Sequence, residues 1–224
     1  MPKKIETVLL DLDGTLADTA PDLAKALNQT LEQHGRVTLP FEIIRPVVSL
    51  GGAAMIELGF GITDADPLYE SLRKQFLDNY FADIANSTQL FAGMEEVLDQ
   101  LETNHYLWGI VTNKPGWLTA PLLAALNLEK RPDCIISGDT LSQRKPHPAP
   151  LLHACKLLTR PPEFAVYVGD AQRDIEAGRK AGMKTVVARY GYISTDETPE
   201  NWGADAMIDT PLELLNWLEQ PSTG

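Results

Sequence analysis

Apolar residues fall along this chain in two rhythms. Val8, Leu9 and Leu10 form a short continuous apolar run, which suits a central parallel strand covered on both faces. Asp18-Thr19-Ala20-Pro21-Asp22 then reads as a helix start. Thr19 can cap it, Asp22 stands three residues further on, and proline is tolerated in a first turn. Leu23, Leu27 and Leu31 recur every four residues along one face, and Gly35 ends the helix. From Phe41 to Phe81 the pattern stays helical, interrupted by Gly51-Gly52 and by Gly59-Phe60-Gly61. No strand is expected between Leu16 and Phe91. A helical excursion of that length, directly after a strand, reads as an inserted cap over residues 17–86, with hinges near Ala17 and near Asn86-Ser87. Residues 1–16 and 87–224 would make the core.

From Phe91 onward short apolar runs alternate with amphipathic stretches. A helix from Met94 to Glu102 leads into a strand from Tyr106 to Val111. A helix near Leu118–Leu126 precedes a strand at Cys134-Ile135-Ile136. The helix Pro150–Leu158 is followed by the strand Phe164–Val168, and the helix Ile175–Ala181 closes at Gly182 before Thr185–Ala188. Such alternation predicts an α/β fold, a Rossmann-like, doubly wound parallel sheet. Right-handed crossovers bring the carboxyl ends of all its strands to one edge, where ligands bind in such folds.

Composition narrows the partners. Nineteen basic against thirty-one acidic residues give a formal charge of -12, which argues against a nucleic-acid or anionic-membrane surface. An anionic substrate would need a metal ion or a few focused cations. Two cysteines, Cys134 and Cys155, make no disulfide framework, so a reducing cytoplasm is expected. Lys3 and Lys4 precede only a short apolar run that Asp11 cuts off, so no secretory leader is expected, and nothing approaches a membrane span.

The candidate chemistry sits at the strand ends. The first strand stops on Asp11 and Asp13, followed by Gly14-Thr15; these two carboxylates converge only if the chain curls at Gly14. Carboxylates held close repel, and keeping them together takes a cation or unequal protonation. The second strand ends in Thr112-Asn113, with Lys114 next; the third leads to Lys145-Pro146; the fourth ends in Gly169-Asp170, with Asp174 one helical turn on. Taken singly, each has an ordinary reading as a cap or a solvated loop residue. Taken together they are what a metal–phosphate site requires. Mg2+, a hard cation, would offset Asp11 and Asp170 beside a phosphate dianion. Lys145, the Thr112 hydroxyl and nearby backbone N–H groups, those of Leu12 and Asn113 among them, would hold the phosphoryl oxygens. Asp11 could then attack phosphorus in line, with Asp13 as acid and base.

In order and spacing, Asp11-Leu12-Asp13-Gly14-Thr15, Thr112, Lys145 and Gly169-Asp170…Asp174 resemble the four motifs of the haloacid dehalogenase superfamily, over the whole chain. The resemblance implies a Rossmann-like core, a helical cap inserted after the first motif, and Mg2+-dependent phosphoryl transfer through an aspartyl-phosphate. It implies metal ligation by Asp11, by the backbone carbonyl of Asp13 and by Asp170, with Asp174 in an outer or lysine-orienting position. Thr112-Asn113-Lys114-Pro115 and Lys145-Pro146-His147-Pro148 resemble the phosphoglycolate phosphatase branch. Within it, Phe91-Ala92-Gly93-Met94, Trp108-Gly109, Arg173–Glu176, Arg189–Ile193 and Asn201–Asp205 resemble bacterial N-acetylmuramic acid 6-phosphate phosphatases.

The matching specificity loop is Val48–Ala54. Ser49, Gly51 and Gly52 are its candidate selectors, it holds no lysine or arginine, and none occurs between Arg45 and Arg73. Small residues leave volume for a sugar, so the expectation leans to the amino-sugar substrate, with phosphoglycolate as the alternative. Both carry a carboxylate, which Arg45 or Lys114 could serve. A phosphorylatable receiver domain shares the aspartates, threonine and lysine but lacks a helical insertion and needs no Asp13. A sugar-phosphate mutase would retain its phosphoryl group, and a carbon–halogen hydrolase lacks the acid at Asp13. Trp202, Tyr190 and Tyr192 are expected to pack, Cys155 to be buried in a helix and His147 to lie in a loop.

Overall fold

A computed structural model describes residues 4–220; Lys3 and the last four residues lie outside the described residues. In chain order the elements are β1 (Thr7–Leu10), β2 (Ala17–Asp18), α1 (Ala20–Gln33), α2 (Phe41–Ile44), α3 (Gly52–Phe60), α4 (Tyr69–Ala82) and β3 (Gln89–Leu90). Then follow α5 (Met94–Thr103), β4 (Leu107–Val111), α6 (Gly116–Ala125), β5 (Cys134–Ile136), α7 (Ala149–Leu158) and β6 (Ala165–Gly169). The chain finishes with α8 (Gln172–Ala181), β7 (Lys184–Ala188), β8 (Ala206–Ile208) and α9 (Glu213–Glu219).

The sheet is six-stranded in the order β5-β4-β1-β6-β7-β8, and every pairing in it is parallel. The apolar run of β1 lies near the middle, between β4 and β6, with Val8, Leu9 and Leu10 fully buried. Val8 and Leu10 face one core layer with Trp108, Ile110 and Val168; Leu9 faces the other with Val111, Leu151 and Tyr167. The alternation expected of a strand covered on both sides is thus realised residue by residue.

Residues 20–82 supply most of a second hydrophobic cluster, which Leu118 and Tyr192 complete. Leu23, Leu27 and Leu31 of α1 pack with Met55, Ile56, Phe76 and Tyr80 of α3 and α4. The absence of strands expected between Leu16 and Phe91 is corrected at its two ends. Ala17–Asp18 and Gln89–Leu90 pair antiparallel as β2 and β3, too short to show a hydrophobic period. This joint carries the chain into and out of the helical insertion. Asp22 secures it: its carboxylate accepts hydrogen bonds from the backbone N–H groups of Ser87 and Thr88 and from the Thr88 hydroxyl, at 2.7–3.0 Å.

The capping role expected of Thr19 is also corrected. Thr19 precedes α1 but makes no side-chain cap, because its hydroxyl donates to Asp13 Oδ1 at 2.6 Å. Gly59 does not end α3. It lies inside that helix where a Cβ would stand 3.0 Å from Leu27, and its small size lets α1 and α3 approach; Gly61, left-handed at φ 71°, is the terminator. Beyond β7, β8 and α9 were not expected. Three residues give no period, and β8 shows burial only at Ile208. Among the described residues no helix is long and apolar enough to cross a membrane.

Candidate active site

The turn after β1 creates the site. Gly14 takes φ +84°, a conformation that costs side-chain-bearing residues but not glycine, and the Leu12 carbonyl accepts from the N–H groups of Thr15, Leu16 and Ala17. A Cβ on Gly14 would stand 2.1 Å from Asp170 Oδ2, so the end of β6 is pressed directly against this turn. The curl thereby brings Asp11 and Asp13 to the carboxyl edge beside Asp170.

Lys145 is the central cation. Its fully buried ammonium lies 2.8 Å from Asp11 Oδ1 and 2.8 Å from Asp174 Oδ1, and it donates to the Tyr167 hydroxyl at 2.7 Å. Two ion pairs and one hydrogen bond thereby surround it. The Tyr167 hydroxyl in turn donates a hydrogen bond to the Val111 carbonyl at 2.7 Å. Asn113 holds Lys145 from the main chain, accepting from its N–H at 3.1 Å and donating to its carbonyl at 3.0 Å. The Asn113 amide is thus committed to positioning the lysine. Thr112 is buried on the cavity wall, where its hydroxyl accepts from the Lys114 N–H. The Leu12 N–H is turned to Asp11 Oδ1 at 2.8 Å.

Carboxylate oxygens of Asp11, Asp170 and Asp174 lie within 4.8 Å of one another, a group able to hold a metal ion. Asp174 accepts through Oδ2 from the Ala171 N–H at 3.1 Å, and its Oδ1 is ion-paired with Lys145 but accepts no hydrogen bond. Asp11 keeps Oδ2 free for a hard cation, whereas Asp170 accepts at Oδ2 from the Ser49 hydroxyl and the Tyr192 N–H and at Oδ1 from the Thr15 hydroxyl, contacts that hold it in place beside Asp11. Burial pushes Asp11 up to about 6, with Lys145 pulling the other way and Asp174 adding to the rise. Burial, then the neighbouring Asp11 and Asp174, push Asp170 up to about 7. Crowded buried oxygens that resist ionisation are a donor set that fits a divalent cation.

Asp13 is less buried. Its Oδ1 accepts from Thr19 and from the Lys114 ammonium at 2.9 Å, and that ammonium lies 4.5 Å from the ring centre of Tyr80 on α4. Burial works against the Lys114 charge, but Asp13 and Tyr80 outweigh it and raise the lysine above its ordinary range. Ser49, expected as a specificity residue, has its hydroxyl on Asp170 Oδ2 at 2.6 Å, and its carbonyl accepts from Arg173. The helical insertion therefore reaches down onto the acids themselves. Arg173 enters the sequence pattern only as part of the stretch Arg173–Glu176. It stands one residue before Asp174 at the start of α8, its Nε buried without a partner.

Above the acids lies a cavity of about 460 Å³, bounded below by Asp11, Asp13 and Thr112 and above by Gly51, Gly52 and Ala53. Lys114 lines it, as expected. Arg45 is corrected: it donates to the Tyr190 carbonyl and stacks on the Tyr192 ring at 4.9 Å, and it does not line the cavity. Sequence separation suggested no cation near the loop, but helix α4 folds Arg73 back beside Gly52, and the loop before Lys145 adds Arg144. Tyr190 and Tyr192 pack with Phe91, and Trp202 packs with Ile175 and Val187, away from the cavity. Cys155 is buried on α7, and His147 is an exposed loop residue whose Nδ1 accepts from the Ala149 N–H.

A family model described as haloacid dehalogenase-like hydrolase matches residues 8–188. An N-acetylmuramic acid 6-phosphate phosphatase from Pseudomonas putida is 41% identical over 221 residues, covering 99% of each chain. A phosphoglycolate phosphatase from Xanthomonas campestris pv. campestris is 44% identical over 207 residues, covering 92% of this chain and 93% of its own. Among solved structures, that of a predicted phosphoglycolate phosphatase from Haemophilus somnus superposes with a TM-score of 0.85 at 26% identity, covering 95% of this chain and 97% of the other.

Proposed function

The chain belongs to the haloacid dehalogenase-like hydrolase family and is a phosphatase, and we propose that it is Mg2+-dependent, works through an aspartyl-phosphate and acts on N-acetylmuramic acid 6-phosphate. The observation that carries the mechanism is Lys145, held by Asp11, Asp174 and Tyr167 at 2.7–2.8 Å, beside an Asp170 that the turn at Gly14 presses towards Asp11.

On this reading Asp11 attacks phosphorus, and the bond from phosphorus to the sugar oxygen breaks as Asp13 gives that oxygen its proton. Water then attacks the aspartyl-phosphate, Asp13 takes its proton, and inorganic phosphate leaves with the Asp11 carboxylate restored. Lys145, the Thr112 hydroxyl and the N–H groups of the turn bear the charge on the phosphoryl oxygens, while Asn113 keeps Lys145 in place. Asp11, Asp170 and the Asp13 carbonyl would hold Mg2+, and the ion supplies the neutralisation that lets a dianion approach these acids. Asp174 orients Lys145. Residues 17–86 serve as the cap and residues 1–16 and 87–224 as the catalytic core.

The substrate reading rests on the roof. The cavity falls within the range of about 300–1,000 Å³ typical of enclosed ligands. Gly51, Gly52 and Ala53 leave it unfilled above the acids, which supports a sugar over a two-carbon acid. Phosphoglycolate remains the second reading, because a relative at 44% identity carries that name. Phosphate release should be measured over both substrates and a panel of sugar phosphates, after chelator treatment and again with Mg2+. The mechanism predicts no turnover without the ion and recovery with it. Full activity of the chelated enzyme would sink it, and a strong preference for phosphoglycolate would sink the substrate reading alone.

A further inference from the structure

Helix α4 presents one face to the cavity. Tyr69, Glu70, Arg73, Phe76, Leu77 and Tyr80 all line it, at the three- and four-residue spacing that places side chains on one side of a helix. Tyr69, Phe76 and Tyr80 are buried members of the apolar cluster of the insertion. In the middle of that face sits a guanidinium. Lys74, the next residue, points outward and pairs with Asp78, both well exposed.

The other cations lining the cavity each have a partner already. Lys114 is paired with Asp13, and Arg173 is bound to the Ser49 carbonyl amid the acids. The exposed Arg144 donates through Nε to the Gly138 carbonyl at 2.7 Å. Arg73 has no ion-pair or hydrogen-bond partner among the described residues. Packing nevertheless fixes where it lies: a Cβ on Gly52 would stand 3.9 Å from its Nε and 3.7 Å from the Phe76 ring. Asp64 and Glu70 also line this cavity but neither pairs with Arg73, so its half-buried guanidinium is free to take an anion that arrives there. The phosphoryl end of a substrate is served from below by Lys145 and Thr112, so an anion at the roof must belong to the leaving group.

We infer that Arg73 is a specificity residue that binds a carboxylate on the leaving group. Guanidinium and carboxylate match as a two-pronged pair, and the aromatic walls keep water from competing. This inference rests on the phosphatase reading above and names the part of the leaving group that is recognised. N-acetylmuramic acid carries such a carboxylate on its lactyl ether, N-acetylglucosamine does not, and the two are otherwise the same sugar.

The test compares kcat/KM on the two 6-phosphates for wild type, Arg73→Gln and Arg73→Lys, with melting temperature as a check on folding. Arg73→Gln should lose roughly 10- to 100-fold on the muramic substrate, the usual worth of a bond to a charged group. It should change less than about threefold on the glucosamine substrate, and Arg73→Lys should recover part of the loss. Equal losses on both sugars, or none, would overturn the inference. Wild-type enzyme indifferent to the lactyl group would instead sink the amino-sugar reading. The same variants on phosphoglycolate and p-nitrophenyl phosphate then decide Arg73 separately: a loss confined to phosphoglycolate supports it, and an equal or absent loss overturns it.

Discussion

The sheet edge and the helical roof face the same cavity, yet their polar groups are committed to very different degrees. At the edge Lys145 is ion-paired with Asp11 and Asp174 and bonded to Tyr167, Asp170 accepts from Ser49 and Tyr192, and Asn113 is bound at both ends of its amide. On the roof Arg73 is unpartnered, Gly51 has open space around its α-carbon, and Ala53 is exposed. The edge is preorganised for one transformation, and the roof is left open for the part of the substrate that varies. A core that handles only the phosphoryl group cannot choose its leaving group, so selection falls to what closes over it.

Substitutions at the edge should therefore stop the chemistry, whatever the substrate. Asp11→Asn removes the attacking oxygen and should bring turnover to background with no phosphorylated protein detectable by mass. Asp13→Asn should keep Mg2+ binding, since the carbonyl is unchanged, but lose roughly 10²–10⁴ in kcat, the usual worth of a general acid. Losses that differed between substrates at either position would break the division drawn here.

The same edge should make the metal-free protein sensitive to pH. Asp11 and Asp170 hold protons more tightly folded than unfolded, with values raised from 3.8 to about 6 and about 7. Between the unfolded and folded values the native state binds more protons, so stability falls as pH rises. The contribution is fully present below about 4 and is lost on passing through 6 and 7, roughly 3 kcal/mol for Asp11 and roughly 4 kcal/mol for Asp170 at about 1.4 kcal/mol for each unit. Melting temperature followed from pH 5 to 8 should decline without metal and flatten with saturating Mg2+. A flat metal-free profile would show that these acids are not crowded as described.

The smallest effect belongs to the roof. Ala53→Leu fills space without touching the acids, and unlike Gly51 at φ +89° this position sits in an ordinary helix. It should reduce kcat/KM on the amino-sugar phosphate roughly tenfold while sparing phosphoglycolate. Equal losses would mean that the roof does not select by size.

The edge was legible in the sequence because its residues sit on strand ends, and each strand announces itself through an apolar run that stops abruptly. Asp11, Thr112, Lys145 and Asp170 meet where the parallel order of β1, β4, β5 and β6 requires. The roof was legible only as helices. Arg45 looked available and is bound to Tyr190, whereas Arg73 looked remote and lines the cavity. The difference lies in how α3 and α4 turn back on each other, which depends on packing between elements and not on any local period. An arginine on the same helical face as Phe76 and Tyr80 was the available signal. The two-residue strands β2 and β3 gave none, since their pairing partners are far apart in sequence.

That antiparallel joint also bears on how the chain folds. β1 must find β4 and β6, both distant in sequence, and searches of that kind are slow because a long loop has to be closed before any contact rewards it. The helices of the insertion share most of one apolar cluster, and β2, β3 and the three donors on Asp22 hold the two ends of the insertion a strand spacing apart. For the rest of the polypeptide the excursion is thereafter a short detour. β1 has only the stretch through α5 left to close before it meets β4, and a sheet interrupted by so long an insertion assembles as though it were nearly continuous.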